Sequence, residues 1–282
     1  MRTPAVHRRR GFTLVEMLVG MVILATIGAA ITRILVLQTH LFQKATAQRA
    51  TRVVTRSAMN IIDSDLRMLE ARNGIVAASP TMLLVRSPYA LGIVCGAGGS
   101  GATMVSLAPV DSTEWANAAP SGYAWRDTLG AYHYEETGVS VGGGDAAVCT
   151  AASITTLTNG RVVAVLPALP AAAPAGTPVL FEERVRYEFK PSVSVSGARA
   201  LWRTAVATGS AEELVTPFTN SARFRFFVLD NDSSQAAVPA SLSDIRGIEF
   251  VLTARSETAP GGAAEPESTL VNTAVFFRNS LN

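Results

Sequence analysis

Hydrophobic and polar residues follow two different patterns along the chain. In residues 12–31, a run of 20 positions, Glu16 is the only charged residue, and Arg8, Arg9 and Arg10 stand just before this run. Twenty helical residues extend about 30 Å, which is enough to cross a bilayer. Because clustered arginines hold their end of such a helix in the cytoplasm, the pattern predicts a cytoplasmic N-terminus and an exported remainder.

The helical pattern continues past this apolar run, since no proline occurs in residues 5–79. A stripe at three- and four-residue spacing, suited to packing against a sheet, consists of Val54, Ala58, Ile61, Ile62, Asp65 and Leu69. We therefore predict one helix from Phe12 to about Arg72, closed by Asn73-Gly74 as a left-handed C-cap. Residues 32–73 are its amphipathic continuation, in which the polar stretch 43–52 is expected to be an exposed connector.

After Pro80 the pattern changes to short alternating runs separated by glycine and proline, which is typical of strands. Predicted strands are 82–86, 92–95, 154–157, 161–166, 180–189, 200–205, 223–229, 246–254 and 270–277. Asn159-Gly160 predicts a hairpin turn between the third and fourth of these, and 180–189 with 200–205 predicts a second hairpin. The fold class is α+β, with one long helix packed on a β-rich head formed by residues 74–282.

Glu16 is the unusual residue of the apolar run. A carboxylate inside a membrane helix costs roughly 2.5 to 3.5 kcal/mol unless it has a partner, so such residues are functional by default. One alternative is that Glu16 lies near the lipid headgroups and reaches into them.

The order Arg8-Arg9-Arg10-Gly11-Phe12-Thr13-Leu14-Val15-Glu16 resembles the leader of type IV prepilins. The resemblance implies that a membrane-bound prepilin peptidase cuts between Gly11 and Phe12, removing residues 1–11, and that the new amine of Phe12 is methylated. It also implies that Glu16 pairs with this amine on a neighbouring subunit during assembly. Two alternatives remain: a conventional signal peptide cut near Ala29-Ala30, and an uncleaved signal anchor.

Three segments of the remaining chain are similar to PilW-type minor pilins and to the J-type minor pseudopilin of type II secretion. They are residues 63–67 (DSDLR), the strand pair 184–189 with 201–203, and the terminal residues 275–279. The resemblance implies a structural subunit that primes or caps a pilus or pseudopilus, stored in the inner membrane with its head in the periplasm. Implied partners are major and minor pilins, the inner-membrane assembly platform and the lipid bilayer. Residues 96–148 match nothing in this family.

The charge balance and the two cysteines indicate properties of the part of the chain that is predicted to be exported. Four of the 24 basic residues lie in residues 1–11, which leaves 20 basic against 22 acidic residues and makes nucleic-acid binding by bulk charge unfavourable. Cys95 and Cys149 both follow the membrane run, where oxidising conditions favour a disulfide. The alternative is two free buried thiols.

Motifs for catalysis or metal binding are weak. The run Gly96 to Gly101 satisfies GxGxxG, but no βαβ pattern surrounds it, and the sequence lacks a GxxxxGK[ST] loop, GxSxG, HExxH and CxxC. His133 beside Glu135 and Glu136 is more typical of a solvated strand edge than of a metal site, and Asp230-Asn231-Asp232 is more typical of a turn. We expect no catalytic residue, metal, cofactor or small-molecule substrate. The function class that competes with a filament subunit is a signal-anchored periplasmic module that binds a ligand or a surface.

Overall fold

The computed structural model describes residues 13–70, 73–117, 120–136 and 139–277 of the 282-residue chain. Its first element is the 53-residue helix α1, Leu14–Leu66, which extends about 80 Å. The remaining helices and strands are β1 (Ile75–Ser79), β2 (Met82–Ala97), β3 (Thr103–Leu107), α2 (Pro109–Asn117), β4 (Gly122–Arg126), β5 (Tyr132–Glu135), β6 (Ser140–Gly143), α3 (Ala146–Ala151), β7 (Arg161–Leu166), β8 (Pro178–Pro191), β9 (Arg199–Ala205), β10 (Ala211–Phe218), β11 (Arg223–Val228), β12 (Ile245–Arg255) and β13 (Ser268–Phe276). Single 3-10 turns occur at Gly99–Gly101 and Leu242–Asp244. The predicted α+β layout, a long helix followed by a β-rich head, is confirmed.

The long helix ends earlier than the sequence predicts. Arg67 is its C-cap, and the N–H of Leu69 donates to the carbonyl of Leu66, so the chain tightens into a turn that buries Leu69. The expected left-handed cap at Asn73-Gly74 is wrong, because Gly74 lies outside the positive-φ region. Its N–H instead donates to the carbonyl of Glu70 at 2.8 Å and closes a separate turn before β1.

The strands of the described residues form one antiparallel sheet in the order β11-β12-β10-β9-β8-β2-β3-β7-β6. Strands β1, β13 and β4 add to it by pairing with β2, β12 and β8, and β5 pairs with β4. The two longest strands, β2 and β8, pair with each other from Met82↔Glu188 to Ile93↔Pro178. Their length lets one end of each strand contribute to a core beside the helix, and the other end to a second core farther along the sheet.

The first core joins α1 to the sheet. Ala58, Ile62 and Leu66 of the helix are buried in one cluster with residues of the sheet, in which Phe224 of β11 and Phe250 of β12 pack edge to face with 5.6 Å between ring centroids. The predicted stripe is largely confirmed, since Ala58, Ile62 and Leu69 are buried and Val54 and Ile61 are partly buried. Asp65, the polar residue of the stripe, also faces the sheet, since its carboxylate accepts a hydrogen bond from the hydroxyl of Tyr187 in β8.

Most of residues 43–52 are exposed, as predicted, but the segment is not a free connector, because it binds the head. The side chain of Gln43 accepts a hydrogen bond from the N–H of Gly261 at 2.7 Å, and Lys44 forms an ion pair with Glu267 at 3.2 Å. Thr51 is buried and shares a 2.8 Å hydrogen bond with Thr269. Polar residues on this part of the helix therefore bind the loop and strand that follow β12.

Two strand predictions also need correction. Residues 82–86 and 92–95 are parts of the single strand β2, because an irregularity in register between Pro88 and Ala90 accommodates a proline that has no N–H to donate. Residues 154–157 do not form a strand, since β7 already pairs with β3 on one edge and β6 on the other. The β8–β9 hairpin and strands β11, β12 and β13 agree with prediction.

Candidate functional site

The helix begins with a reciprocal cap between Thr13 and Glu16. One carboxylate oxygen of Glu16 accepts hydrogen bonds from the backbone N–H and from the hydroxyl of Thr13, each at 3.0 Å. The N–H of Glu16 donates in turn to the Thr13 hydroxyl oxygen at 3.3 Å. This capping box satisfies donors that the helix leaves free at its start, and the helix dipole favours a negative charge there. The carboxylate is thus fixed in the first turn and faces outward.

Beyond this cap the helix exposes apolar side chains on every face. Leu14 is 79% exposed and Leu24 is 71% exposed, and no residue of the most apolar 18-residue window is buried, although its mean hydropathy is 2.3. Cβ atoms built on Gly20 and Gly28 would meet no neighbouring atom. By length and composition this helix is suited to crossing a membrane, and an apolar surface of this size needs a bilayer or other helices to cover it.

The head first contacts the helix where the apolar part ends. A Cβ atom on Gly262 would lie 3.1 Å from the ring of His40, and Gln43 and Lys44 bind Gly261 and Glu267. The 26 residues from Leu14 to Thr39 extend about 39 Å, close to the thickness of a bilayer with its headgroups. Gly261, Gly262 and Glu267 of the head therefore lie beside the helix just after its apolar part.

A groove with a volume of about 700 Å³ lies between the helix and the segment that follows β12. Phe42, Ala47 and Val54 line it on the helix side, and Arg255 and Pro260 line it on the head side. Within the described part of the chain, the buried Nε of Arg255 has no hydrogen-bond partner. The groove is therefore mainly apolar and has a cation at one wall.

Four charged side chains form a cluster between the two cores. The Nε atoms of Arg86 and Arg184 donate to the same oxygen of Glu136, at 2.6 and 2.9 Å. Burial raises the pKa of Glu136, but hydrogen bonds from Arg86 and Arg184 outweigh it and hold that pKa at about 2. Burial also raises the pKa of Glu182, to about 8, although Arg86 lies 3.6 Å from its carboxylate. This cluster fastens the end of β5 to β2 and β8.

The predicted disulfide is present. Cys95 in β2 and Cys149 in α3 are bonded, with their Cα atoms 4.6 Å apart, and both side chains are buried beside Met104. The bond holds α3 against the paired strands β2 and β3. Residues 96–148, for which the sequence analysis predicts no strand or helix, contain β3, β4, β5, β6 and α2.

The weak metal candidates do not come together. His133 stacks on Trp125 and its Nε2 lies 2.8 Å from a carboxylate oxygen of Asp127, whereas Glu136 belongs to the arginine cluster. Asp232 pairs with Arg246 at 3.1 Å. Among the residues that the structure describes, no group of three metal-ligating side chains occurs.

Comparison with protein families gives one match, to the prokaryotic N-terminal methylation motif, over residues 6–32. No curated protein and no solved structure matches the chain. The matched segment contains Glu16 and most of the exposed apolar helix, and it supports a type IV pilin-like protein. Gly11 and Phe12, the predicted processing residues, lie outside the described residues of the structure.

Sequence reasoning missed two features of the site. The Thr13 cap was detectable, because Thr-x-x-Glu before an apolar run is the pattern of a capping box. The cluster of Arg86, Glu136, Glu182 and Arg184 was not, because strand pairing brings together residues that are up to 98 positions apart and show no common spacing.

Proposed function

We propose that this protein is a minor pilin or minor pseudopilin, a structural subunit that primes or caps a type IV pilus or a type II secretion pseudopilus. It acts in assembly and not as an enzyme. The observation that carries the proposal is the position of Glu16. It is the one acidic residue of the exposed apolar segment 14–42, it lies in the first turn of the helix, and the methylation motif covers it.

The geometry suggests how the Glu16 carboxylate is tolerated while the subunit is stored in the membrane and is used when the subunit assembles. In the membrane the Thr13 N–H and hydroxyl satisfy Glu16 locally, which reduces the cost of keeping a charge in the bilayer. Prepilin peptidase would cut between Gly11 and Phe12 and leave a methylated amine on Phe12. The amine of a neighbouring subunit would then bind Glu16 by a charge-assisted hydrogen bond, which is stronger than one from a neutral hydroxyl.

The head would remain outside the bilayer throughout assembly. The helix and head share one buried core from residue 51 onward, so a force applied to the helix reaches the head without a flexible linker. The proposed partners are prepilin peptidase, major and minor pilins, the inner-membrane assembly platform and the lipid bilayer. The resemblance of residues 63–67 and of the β8–β9 pair supports the minor-subunit assignment.

Mass spectrometry of the mature N-terminus tests this proposal. Methylated Phe12 is the expected result, whereas an N-terminus near Ile31 would indicate a conventional signal peptide and Met1 an uncleaved anchor. A Gly11→Leu variant, which blocks close access to the bond, should remain full length. Co-purification of the wild-type chain with sheared filaments or other pilin-like subunits would then establish the assembly role.

A second candidate is a signal-anchored binding module in the periplasm. The groove between Phe42, Val54 and Arg255 favours it, because its volume of about 700 Å³ lies in the range of small-molecule sites. Under this candidate the N-terminus would be uncleaved and the chain would not co-purify with other pilin-like subunits, so the same experiment separates the two functions.

A further inference from the structure

In the part of α1 that follows the apolar segment, no acidic residue of the helix balances the positive charges before Asp63. Between Glu16 and Asp63 the charged residues are Arg33, Lys44, Arg49, Arg52 and Arg56. Lys44 faces the head and pairs with Glu267. Arg49, Arg52 and Arg56 are exposed, and none of the three forms an ion pair or side-chain hydrogen bond with any described residue. Three neighbouring cations on one helix are therefore left without a partner among the residues that the structure describes.

These arginines lie on a single stripe that faces away from the head. Their spacing of three and four residues places them on one side of the helix, while Thr51, Thr55 and Ala58 face the sheet. The same spacing continues towards the apolar segment at Ala45, which is exposed, and Val53 beside the stripe is 63% exposed. Alternating three- and four-residue steps are the spacing of a helix–helix seam. We call residues 45, 49, 52 and 56 the outward stripe.

We propose that the outward stripe binds an acidic helix of a different pilin-like subunit, whose Asp or Glu residues lie opposite Arg49, Arg52 and Arg56. The inference rests on the proposed function and names the partner class that the assembly requires. A second copy in parallel register would place arginines against arginines, and such like-charge contacts reject wrong partners. The stripe thus selects a heteromeric neighbour and disfavours a filament of this chain alone.

Two other occupants fit the stripe less well. Arg52 lies about 18 Å along the helix beyond His40, where the head meets the apolar segment, and Arg56 about 24 Å beyond it. Both distances exceed the Debye length of about 8 Å at physiological salt, so attraction to lipid headgroups would be screened. Nucleic acid would neutralise the arginines but would leave the apolar Val53 uncovered, whereas a partner helix covers it.

Site-directed photocrosslinking tests the proposal in the full chain. A benzophenone amino acid replaces Val53, which touches the stripe without removing an arginine, and the chain is irradiated in cells of its own species. We expect a crosslink to a different chain that carries the same methylation motif. The helix of that chain should have at least two acidic residues at positions that face Arg49, Arg52 and Arg56. A crosslink to a second copy, to nucleic acid or to lipid, or no crosslink at all, would overturn the proposal.

Charge reversal gives the second arm of the test. Arg52→Glu with Arg56→Glu should lower the crosslink yield about five- to tenfold, and converting the partner's acids to arginine should restore it. The control Arg161→Glu with Arg186→Glu makes the same change of charge at two exposed arginines of the head and should leave the yield unchanged. If reversal blocks export, Arg52→Gln with Arg56→Gln should still lower the yield. Equal yields in all these variants would refute the role of charge.

The two proposals fail in distinguishable ways. If position 53 crosslinks to an acidic helix but the wild-type chain never co-purifies with filaments, the filament role is wrong and the charge-selective contact remains. If the chain does co-purify with filaments but charge reversal has no effect, the contact is wrong and the filament role remains.

Discussion

Glu16 and Thr13 satisfy each other at the start of the helix: the carboxylate accepts from the N–H and hydroxyl of Thr13, and the hydroxyl oxygen accepts from the N–H of Glu16. The isolated subunit therefore holds its acidic residue in a complete local network. Both bonds go to one carboxylate oxygen, so an incoming amine can bind the other, and a charged donor makes a stronger hydrogen bond than the hydroxyl does. This arrangement explains how the residue is tolerated before assembly and is still available for it.

The Cys95–Cys149 bond should stabilise the distal half of the head. It joins residues 54 positions apart, and closing a loop of this length is worth on the order of 4 kcal/mol in the chain-entropy model. We expect a Cys95→Ala/Cys149→Ala variant to unfold at lower temperature, and non-reducing mass spectrometry of the wild type to show the two cysteine peptides linked. Free thiols in periplasmic material, or an unchanged unfolding midpoint, would contradict this prediction.

Ile62 should be one of the residues that fix the helix to the sheet. It is 1% exposed in the first core, so Ile62→Ala should lower the free energy of unfolding by about 2 to 5 kcal/mol through lost burial and a residual cavity. Val53→Ala on the exposed face of the same helix is the matched control and should change stability by less than about 0.5 kcal/mol. Denaturant unfolding of the detergent-solubilised chain measures both, and similar values for the two variants would argue against this packing.

Glu182 should make the head less stable as pH rises. Burial raises its pKa in the folded state to about 8 from an ordinary value of 4.5, so the folded protein binds this proton more tightly than the unfolded chain. The stability from this group is complete below pH 4.5 and is lost as pH rises through about 8. Glu182→Gln removes the ionisation and should be more stable than the wild type at pH 8.5, by on the order of 2 kcal/mol.

Thermal unfolding between pH 5 and pH 8.5 isolates this effect. Glu136, whose folded pKa of about 2 lies below its ordinary value, loses its contribution only as pH falls through the acid range, outside this window. Parallel pH profiles for the wild type and Glu182→Gln would show that the pKa of Glu182 is the same in the folded and the unfolded chain, and would contradict this prediction.

The sequence predicted the long helix and its buried stripe because both depend on local pattern. The apolar run and the spacing of Ala58 and Ile62 both follow from periodicity along one helix. Strands β11, β12 and β13 were also predictable, since each alternates clearly and is bounded by turn residues. The disulfide was predicted from two cysteines that both follow the apolar run.

The remaining differences come from tertiary context. Residues 154–157 have strand composition, but no free edge of β7 is available to them. Strands β4 and β5 form a hairpin whose place is set by pairing of Gly122 to Trp125 with β8, which no local pattern reveals. Residues 43–52 have the composition of an exposed segment, yet Gln43, Lys44 and Thr51 bind the loop and strand that follow β12, more than 200 residues away.

The most direct test of the assembly role is a Glu16→Leu variant assayed for co-purification with sheared filaments and for complementation of a deletion strain. Glu16 makes no described contact with the head, and removing a charge eases insertion of the helix into a bilayer. The variant should therefore be cleaved, remain in the inner membrane and keep the Cys95–Cys149 bond. It should be absent from filaments and should not complement, because the amine of its neighbour would lose its counter-charge in an apolar environment. Full complementation by Glu16→Leu, with normal recovery in filaments, would contradict the account.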